Sequence, residues 1–262
     1  MTKLNVTQFG KGPETALFVH CSLAHGGVWK SVVGPLADRV TGFAPDMPGH
    51  GRSVPWDGQG DVHDAVTEGV RPLIGDACHL VGHSFGATVA LRLALEAPDK
   101  VLSLTMIEPV LFAAAKNTPT YEIYRDLMRP YLEARDAEDW SAMALAFYGA
   151  WGGGASWESV PKSAQQAIVG LMPMVAASEA SLTEDSCGLL TQGRLENLSM
   201  PVTFLRGGQS QPVMEQIHAN LMSRIPQAHE VVVEEAGHML PISHPAPVSE
   251  ALAAHLTAVT TV

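Results

Sequence analysis

Two kinds of hydrophobic pattern alternate along this chain. Short uninterrupted apolar runs are typical of strands buried on both faces, and apolar residues spaced three or four positions apart are typical of helices. The first pattern predicts strands at residues 15–20, 80–81, 101–107, 202–205 and 231–233. The second predicts helices at residues 28–40, 61–75, 87–97, 214–223 and 247–258. Strands that alternate with helices predict parallel β–α–β units in one sheet, and so an α/β fold.

The alternation stops after Phe112. From residue 114 to residue 197 the spacing predicts only helices, at 120–136, 137–150 and 161–180, with a flexible loop at 151–157. An all-helical insertion within an alternating pattern is typical of a cap or lid. We therefore expect an α/β core of residues 1–113 and 198–262 and a helical cap of residues 114–197. We expect this insertion to cover an apolar pocket that its tryptophans line in part: Trp140, Trp151 and Trp157.

The pentapeptide Gly-His-Ser-Phe-Gly at residues 82–86 lies between a predicted strand and a predicted helix. A serine at such a corner occupies a strained turn, and glycines on either side permit the close approach of neighbouring backbone. The following helix directs its free N–H groups toward the same place. Ser84 could instead be an ordinary helix N-cap, but this context favours a nucleophile.

A serine nucleophile needs a base, and a histidine late in the chain is expected to supply it. His238 directly follows a predicted strand, in a loop that contains glycine and proline. A surface loop histidine is the simpler alternative, but the position favours a general base. Four other histidines are assigned to structural or exposed positions: His79, His83, His244 and His255.

The loop after the first buried strand carries His20, Cys21 and His25. Neither a CxxC nor an HExxH motif accompanies them, so a metal site is the weaker interpretation. Cys21 has no base near it in sequence and is not expected to act as a nucleophile. The loop is better interpreted as an oxyanion loop, in which the backbone N–H groups of Ser22 and Phe85 face a developing negative charge.

Composition narrows the classes of partner. The chain has 262 residues, a formal net charge of −11 and three widely spaced cysteines. The acidic balance argues against nucleic acid or an anionic membrane as partner, and the cysteines predict neither a disulfide framework nor a zinc site. No apolar run approaches the length of a membrane span, and the N-terminus lacks the apolar core of a signal peptide. We expect a cytoplasmic protein that acts on a small molecule without a metal or organic cofactor; the oligomeric state stays open.

Four ordered motifs resemble those of the α/β-hydrolase superfamily. They are His20, the segment Asp-Met-Pro-Gly-His-Gly-Arg-Ser at 46–53, the Ser84 pentapeptide and the segment Gly-His-Met-Leu-Pro at 237–241. The resemblance implies a mostly parallel eight-stranded sheet flanked by helices, a cap between strands six and seven, and hydrolysis by a Ser–acid–His triad. One departure is Cys21, where the family usually has glycine on the oxyanion loop.

The triad acid is the larger departure. The family usually carries it after strand seven, but residues 205–212 here contain no carboxylate. Some branches of the family instead place a glutamate at the end of strand six, and Glu108 occupies that position. We therefore predict that Glu108 orients His238. Four other carboxylates are rejected as the triad acid: Asp46, Glu184, Asp185 and Glu196. A Ser–His dyad that works without an acid is the remaining alternative.

These expectations predict a serine hydrolase that cleaves a small, largely apolar ester through an acyl-enzyme on Ser84. A C–C bond hydrolase, a lactonase, a thioesterase and a perhydrolase use the same triad and remain alternatives. A function outside the enzyme class is a further alternative: a small-molecule receptor on a hydrolase scaffold.

Overall fold

Seven strands form one sheet in the computed structural model, which describes residues 4–154 and 156–260. Their spatial order is β1-β3-β2-β4-β5-β6-β7, with β1 antiparallel to β3 and every other pair parallel. The strands are β1 (Val6–Phe9), β2 (Glu14–Val19), β3 (Val40–Pro45), β4 (Cys78–His83), β5 (Val101–Ile107), β6 (Val202–Gly207) and β7 (Ala228–Val233).

The resemblance implies eight strands, whereas the described residues form a sheet of seven. A single antiparallel strand, β1, forms one edge of the sheet. The strand before Glu108 is consequently β5, and the helical insertion lies between β5 and β6. The mostly parallel α/β-hydrolase fold is otherwise as expected.

Helices cover both faces of the sheet. They are α1 (Lys30–Val33), α2 (Val62–Val70), α3 (Phe85–Glu96), α4 (Pro119–Leu127), α5 (Arg129–Asp136), α6 (Trp140–Trp151), α7 (Lys162–Ala177), α8 (Glu179–Thr183), α9 (Pro212–Met222), α10 (Leu240–Ser243) and α11 (Pro245–Thr260). Strand β2 shows why its pattern is continuously apolar: Leu17 and Val19 belong to one core, and Ala16 and Phe18 to the core on the other face. A strand buried on both faces has no polar side to alternate with.

Two predicted helices are shorter than their spacing suggests. The segment expected as one helix at 28–40 is a 3₁₀ turn, the short α1 and a second 3₁₀ turn that contains Pro35. The segment at 61–75 is α2 followed by a 3₁₀ turn that contains Pro72. Proline lacks the N–H that continues a helix, and its ring clashes with the preceding turn.

Between β5 and β6 the described residues form helices and loops with no strand. The helix expected at 120–136 is two helices, α4 and α5, because Pro130 in the first turn of α5 lacks the N–H that would continue α4. Side chains at α9 contact the insertion: Asn220 Nδ2 donates to Ala114 O at 2.7 Å, and Gln211 Nε2 donates to Ala150 O at 2.9 Å. Within residues 4–154 and 156–260, no helix has the length and apolar character needed to cross a membrane.

Candidate active site

Ser84 occupies the corner between β4 and α3. Its backbone has φ 56° and ψ −119°, a conformation that residues other than glycine rarely adopt. The flanking glycines make the corner possible. A Cβ on Gly82 would lie 2.3 Å from Gly86 O, and a Cβ on Gly86 would lie 2.3 Å from Val19 O. The tight corner therefore requires glycine at both positions and projects the serine from the end of the strand.

His238 lies in the loop between β7 and α10 and is buried. Its Nε2 is 3.0 Å from Ser84 Oγ, so the serine hydroxyl can donate to the ring. His83 holds this loop, because its Nε2–H donates to the carbonyl oxygen of His238 at 2.8 Å. Burial lowers the pKa of His83 to about 3, so this ring is neutral and remains a fixed donor. His83 is thus a structural histidine, as expected.

Glu108 follows β5 and is fully buried. Its Oε2 is 3.1 Å from His238 Nδ1. Its Oε1 accepts hydrogen bonds from Gly207 N and Ser210 Oγ, both at 2.8 Å. Burial alone would raise the pKa of Glu108. The hydrogen bond and charge of His238, with the donors Gly207 and Ser210, outweigh burial and hold that pKa below its usual value.

The pairing of β5 with β6 explains how Glu108 comes to this position. Ile107 pairs with Leu205, and Glu108 N donates to Leu205 O at 3.0 Å, so residues that follow the two strands are neighbours. Ser210 lies in the segment where the resemblance places the triad acid, and it donates to the carboxylate from the adjacent strand instead. This supporting role of Ser210 is absent from the sequence-based expectations, because nothing local to residues 205–212 signals it.

The four carboxylates that were set aside have other partners. Asp46 accepts from Gly26 N and Arg52 N, both at 2.8 Å, and so holds two loops together. The other three are engaged within or beside the helical insertion: Glu184 with Lys116, Asp185 with the backbone N–H groups of Leu189 and Leu190, and Glu196 with Arg224.

Neutral histidines shape the loop that carries Ser22. His20 donates from Nδ1 to Cys21 O at 2.7 Å and accepts at Nε2 from Met47 N at 3.0 Å. Burial lowers its pKa to about 3, so it is uncharged, and both ring nitrogens are engaged within the protein rather than free for a metal. Burial also raises the pKa of Cys21 to about 12, which keeps this thiol protonated and a poor nucleophile.

Ser22 and Phe85 both lie beside Ser84. Ser22 lines the same cavity as the Ser84 side chain. Phe85 is the first residue of α3, and the N–H groups of a first helical turn have no acceptor within their helix. Ser22 thus shares a cavity with Ser84, and Phe85 adjoins Ser84 in the chain; their role as oxyanion residues stays a prediction.

Two spaces are lined in part by Ser84 and His238. A cavity of about 60 Å³ is lined largely by residues of the helical insertion. The Trp151 ring closes over His238, with centroids 4.7 Å apart at 61°. The cavity is lined by Ser22, Ser84, Val110, Phe112, Tyr124, Met128, Tyr131, Phe147, Trp151, Val175, Ser178, Glu179, Leu182, Thr183 and His238.

The second space is a groove of about 400 Å³. Its walls include the Ser22 loop, Tyr148 of α6 and Ile168 of α7, and its rim includes His25 and Ile242, which are exposed. Of the three tryptophans expected at the pocket, Trp151 lines both spaces. Tyr124 and Tyr131, which the sequence analysis does not single out, also line the cavity; their helical spacing resembles that of any core aromatic.

Comparison with known proteins identifies the family. The model of the alpha/beta hydrolase family matches residues 16–251. The pimeloyl-acyl-carrier protein methyl ester esterase of Aeromonas hydrophila is 30% identical over 258 residues, which cover 92% of this chain and 94% of that protein. The dihydrolipoyllysine-residue acetyltransferase component of the acetoin cleaving system of Cupriavidus necator is 38% identical over 112 residues; these cover 42% of this chain but only 30% of that protein.

Among solved structures, a thermophilic esterase from Thermogutta terrifontis superimposes with a TM-score of 0.70 at 24% identity. The superposition covers 98% of this chain and 93% of that one, and it supports the fold. The family match spans the nucleophile corner, the glutamate after β5 and the histidine loop in a single alignment. The chain therefore belongs to the alpha/beta hydrolase family, and it is an enzyme of the hydrolase class.

Proposed function

We propose that this hydrolase cleaves small, largely apolar esters through an acyl-enzyme on Ser84. The observation that carries the proposal is the continuous hydrogen-bonded line from Ser84 Oγ to His238 Nε2, at 3.0 Å, and from His238 Nδ1 to Glu108 Oε2, at 3.1 Å. A nucleophile, a base and a buried carboxylate in this order form the arrangement that activates a serine.

The first half of the reaction follows from these contacts. His238 Nε2 takes the proton as Ser84 Oγ attacks the ester carbonyl carbon. The carbonyl oxygen becomes an oxyanion, which accepts hydrogen bonds from the backbone N–H groups of Ser22 and Phe85. Glu108 keeps the proton on His238 Nδ1 and stabilises the imidazolium. His238 then gives its Nε2 proton to the alcohol oxygen, the C–O bond to that oxygen breaks, and the alcohol departs.

The second half regenerates the enzyme. His238 Nε2 takes a proton from a water molecule, whose oxygen attacks the acyl carbon. The second oxyanion collapses, the bond to Ser84 Oγ breaks, and the serine recovers its proton from His238.

Residues 114–197 act in this proposal as a cap on a core of residues 1–113 and 198–262. The cavity under α4–α8 is lined mainly by apolar side chains, and Trp151 covers His238. Such a pocket draws its affinity chiefly from burial of an apolar group, which favours uncharged substrates. The name of the Aeromonas hydrophila relative, a methyl ester esterase, supports an ester as the substrate class.

The test is Ser84→Ala, assayed with p-nitrophenyl esters of graded acyl length and with a fluorophosphonate probe. We expect kcat to fall by about 10⁴-fold or more. Wild-type protein should gain one phosphonyl group by intact mass, and Ser84→Ala none. Ser223→Ala is the matched control, because Ser223 is an exposed serine at the end of α9, and it should still be labelled.

More than a tenth of wild-type activity in Ser84→Ala would refute the nucleophile. Failure of the wild-type protein both to react with the phosphonate and to hydrolyse any ester would instead favour a receptor on a hydrolase scaffold. Lactone, thioester and β-diketone substrates, assayed in parallel, separate the ester hydrolase from the lactonase, thioesterase and C–C bond hydrolase alternatives.

A further inference from the structure

The cavity at Ser84 has a neighbouring space on the outer side of the insertion. A recess of about 480 Å³ lies beside α4 and α8, and its walls include the exposed side chains of Glu122, Arg125 and Glu184. The recess and the cavity share five lining residues: Tyr124, Met128, Tyr131, Glu179 and Thr183. We call these five residues the neck, because residues that face both spaces mark the place where the two adjoin.

The groove adjoins the cavity at the catalytic centre instead. These two spaces also share five lining residues: Ser22, Ser84, Phe147, Trp151 and His238. Among the residues that the structure describes, none lines both the recess and the groove. The three spaces therefore follow one another in the order recess, cavity, groove. Ser84 and His238 lie where the cavity meets the groove, and the neck lies where the cavity meets the recess.

The cavity is the narrow part of this series. Its volume is about 60 Å³, against about 480 Å³ for the recess and about 400 Å³ for the groove. The Trp151 ring is 4.7 Å from that of His238 and 6.0 Å from that of Tyr124, so the Tyr124 ring lies within about 11 Å of His238. An extended chain gains about 1.2 Å per bond, so about nine bonds cover this distance. A narrow space of this length suits an unbranched chain.

The chemistry of the walls changes across the neck. The cavity is lined mainly by apolar side chains, which include Val110, Phe112 and Leu182. The recess instead carries two ion pairs on its walls, Lys116 with Glu184 and Arg125 with Glu122. Burial of methylene groups is favourable, whereas a charged group that leaves water without a partner is costly. A chain that follows this route is therefore expected to be apolar in the cavity and polar where it reaches the recess.

We propose that the neck is a passage, through which an unbranched chain of the substrate runs from Ser84 across the cavity and into the recess. The inference rests on the proposed ester hydrolysis and extends it to a substrate class: esters with an apolar chain of about nine bonds or more that ends in a polar or charged group. The cavity still excludes charge, because only methylene groups occupy it. The groove takes the bulkier part on the other side of the ester bond.

The experiment compares two charged esters that differ only in chain length, p-nitrophenyl 5-sulfopentanoate and p-nitrophenyl 12-sulfododecanoate, below the critical micelle concentration of the longer one. The sulfonate of the short ester lies about 6 Å from the carbonyl carbon, inside the apolar cavity, and that of the long ester about 14 Å away, beyond the neck. Each kcat/KM is divided by the rate constant of hydroxide-catalysed hydrolysis of the same ester. For the wild-type enzyme we expect this normalised ratio to favour the long ester by about 100-fold.

Blocking the neck tests whether the chain takes this route. Thr183, the last residue of α8, is half-buried and lines both the cavity and the recess. Thr183→Trp should lower the ratio by about tenfold or more, because the larger side chain fills the neck, and Thr183→Leu should give an intermediate ratio. Thr120→Trp is the matched control and should keep the wild-type ratio, since Thr120 is a half-buried threonine of α4 that lines neither space. A ratio within one enzyme is insensitive to differences in folded fraction between variants.

The outcomes separate this inference from the function on which it rests. If the wild-type enzyme hydrolyses p-nitrophenyl butyrate but does not prefer the long sulfonate, the passage is overturned and the esterase stands. A ratio that survives in both Thr183 variants also overturns the passage, and its loss in Ile168→Trp, on the wall of the groove, would place the chain there instead. If no ester is hydrolysed and the phosphonate does not label Ser84, the proposed function fails, and the passage fails with it.

Discussion

Glu108→Gln tests the role of the buried acid most directly, because it keeps the shape of the side chain and removes only its charge. In the native site, Glu108 Oε1 accepts from Gly207 N and Ser210 Oγ, and Oε2 accepts from His238 Nδ1. A glutamine has one oxygen and one NH₂ group. Since Gly207 N is a fixed backbone donor, the amide oxygen stays on that side and the NH₂ group turns toward His238.

That orientation gives His238 the wrong tautomer. An NH₂ group facing Nδ1 makes Nδ1 an acceptor, so the ring proton moves to Nε2, which then cannot accept the proton of Ser84. Restoring the active tautomer requires the amide to flip and face Gly207 N with its own donor. Such an unmet buried hydrogen bond costs about 1–3 kcal/mol, or roughly 5- to 150-fold in rate.

Loss of the charge adds to this effect. The imidazolium that forms during the reaction loses a charge-assisted hydrogen bond worth about 1.5–3 kcal/mol, or roughly 10- to 150-fold in rate. Together the two effects predict a fall in kcat of about 10³-fold, with 10⁴ as the upper end. KM should change little, because Glu108 is fully buried behind His238 and does not line the substrate cavity.

The assay is steady-state hydrolysis of p-nitrophenyl butyrate, with circular dichroism and thermal unfolding to establish that the variant is folded. Ser210→Ala is the matched control. It removes one of the donors to Glu108 but keeps the carboxylate and its contact with His238, so its kcat should stay within about tenfold of wild type. A folded Glu108→Gln enzyme with kcat within tenfold of wild type would refute the reasoning and favour a Ser–His dyad.

Two further predictions concern stability. His20 and His83 bind a proton only near pH 3 in the folded protein, but near pH 6.5 when unfolded, because burial lowers both pKa values. The unfolded state therefore binds more protons between these limits, and each ring should lower the free energy of unfolding by up to about 1.4 kcal/mol per pH unit as the pH falls below 6.5; equal urea midpoints at pH 7 and pH 5 would contradict this. Gly82→Ala places a methyl group 2.3 Å from Gly86 O and should cost about 1–3 kcal/mol or more, measured by urea unfolding, together with loss of esterase activity. Gly149→Ala, at a helical position with no atom within 4 Å of the added carbon, should instead be neutral or stabilising; equal losses in both variants would show that backbone crowding at the corner is not the cause.

Short stretches of the sequence predict much of this protein's fold and catalytic site. The continuous apolar runs identify the buried strands, since a strand covered on both faces needs apolar side chains at every position. The pentapeptide around Ser84 identifies the corner, because only glycine tolerates the backbone contacts on either side of it. Glu108 is identifiable as well: it is a carboxylate at the end of a strand, in a chain that has none at the usual place.

Other features depend on residues that are far apart in the chain. His83 and His238 are 155 positions apart, and the hydrogen bond between them exists only because β4 and the loop after β7 lie at the same end of the sheet. Ser210 supports Glu108 for the same reason, since the pairing of β5 with β6 sets the residues after the two strands side by side. Nothing in either local sequence encodes such a partner.

The lining of the cavity at Ser84 depends on how the helical insertion packs over the sheet. Tyr124 and Tyr131 have the spacing of ordinary core aromatics, and only the arrangement of α4–α8 over the sheet determines that both residues line a cavity with Ser84. Local sequence thus determined the strands, the nucleophile corner and the candidate acid, because each depends on backbone geometry and burial within a few residues. The tertiary structure decided which distant side chains meet, because those contacts arise only when separate elements pack together.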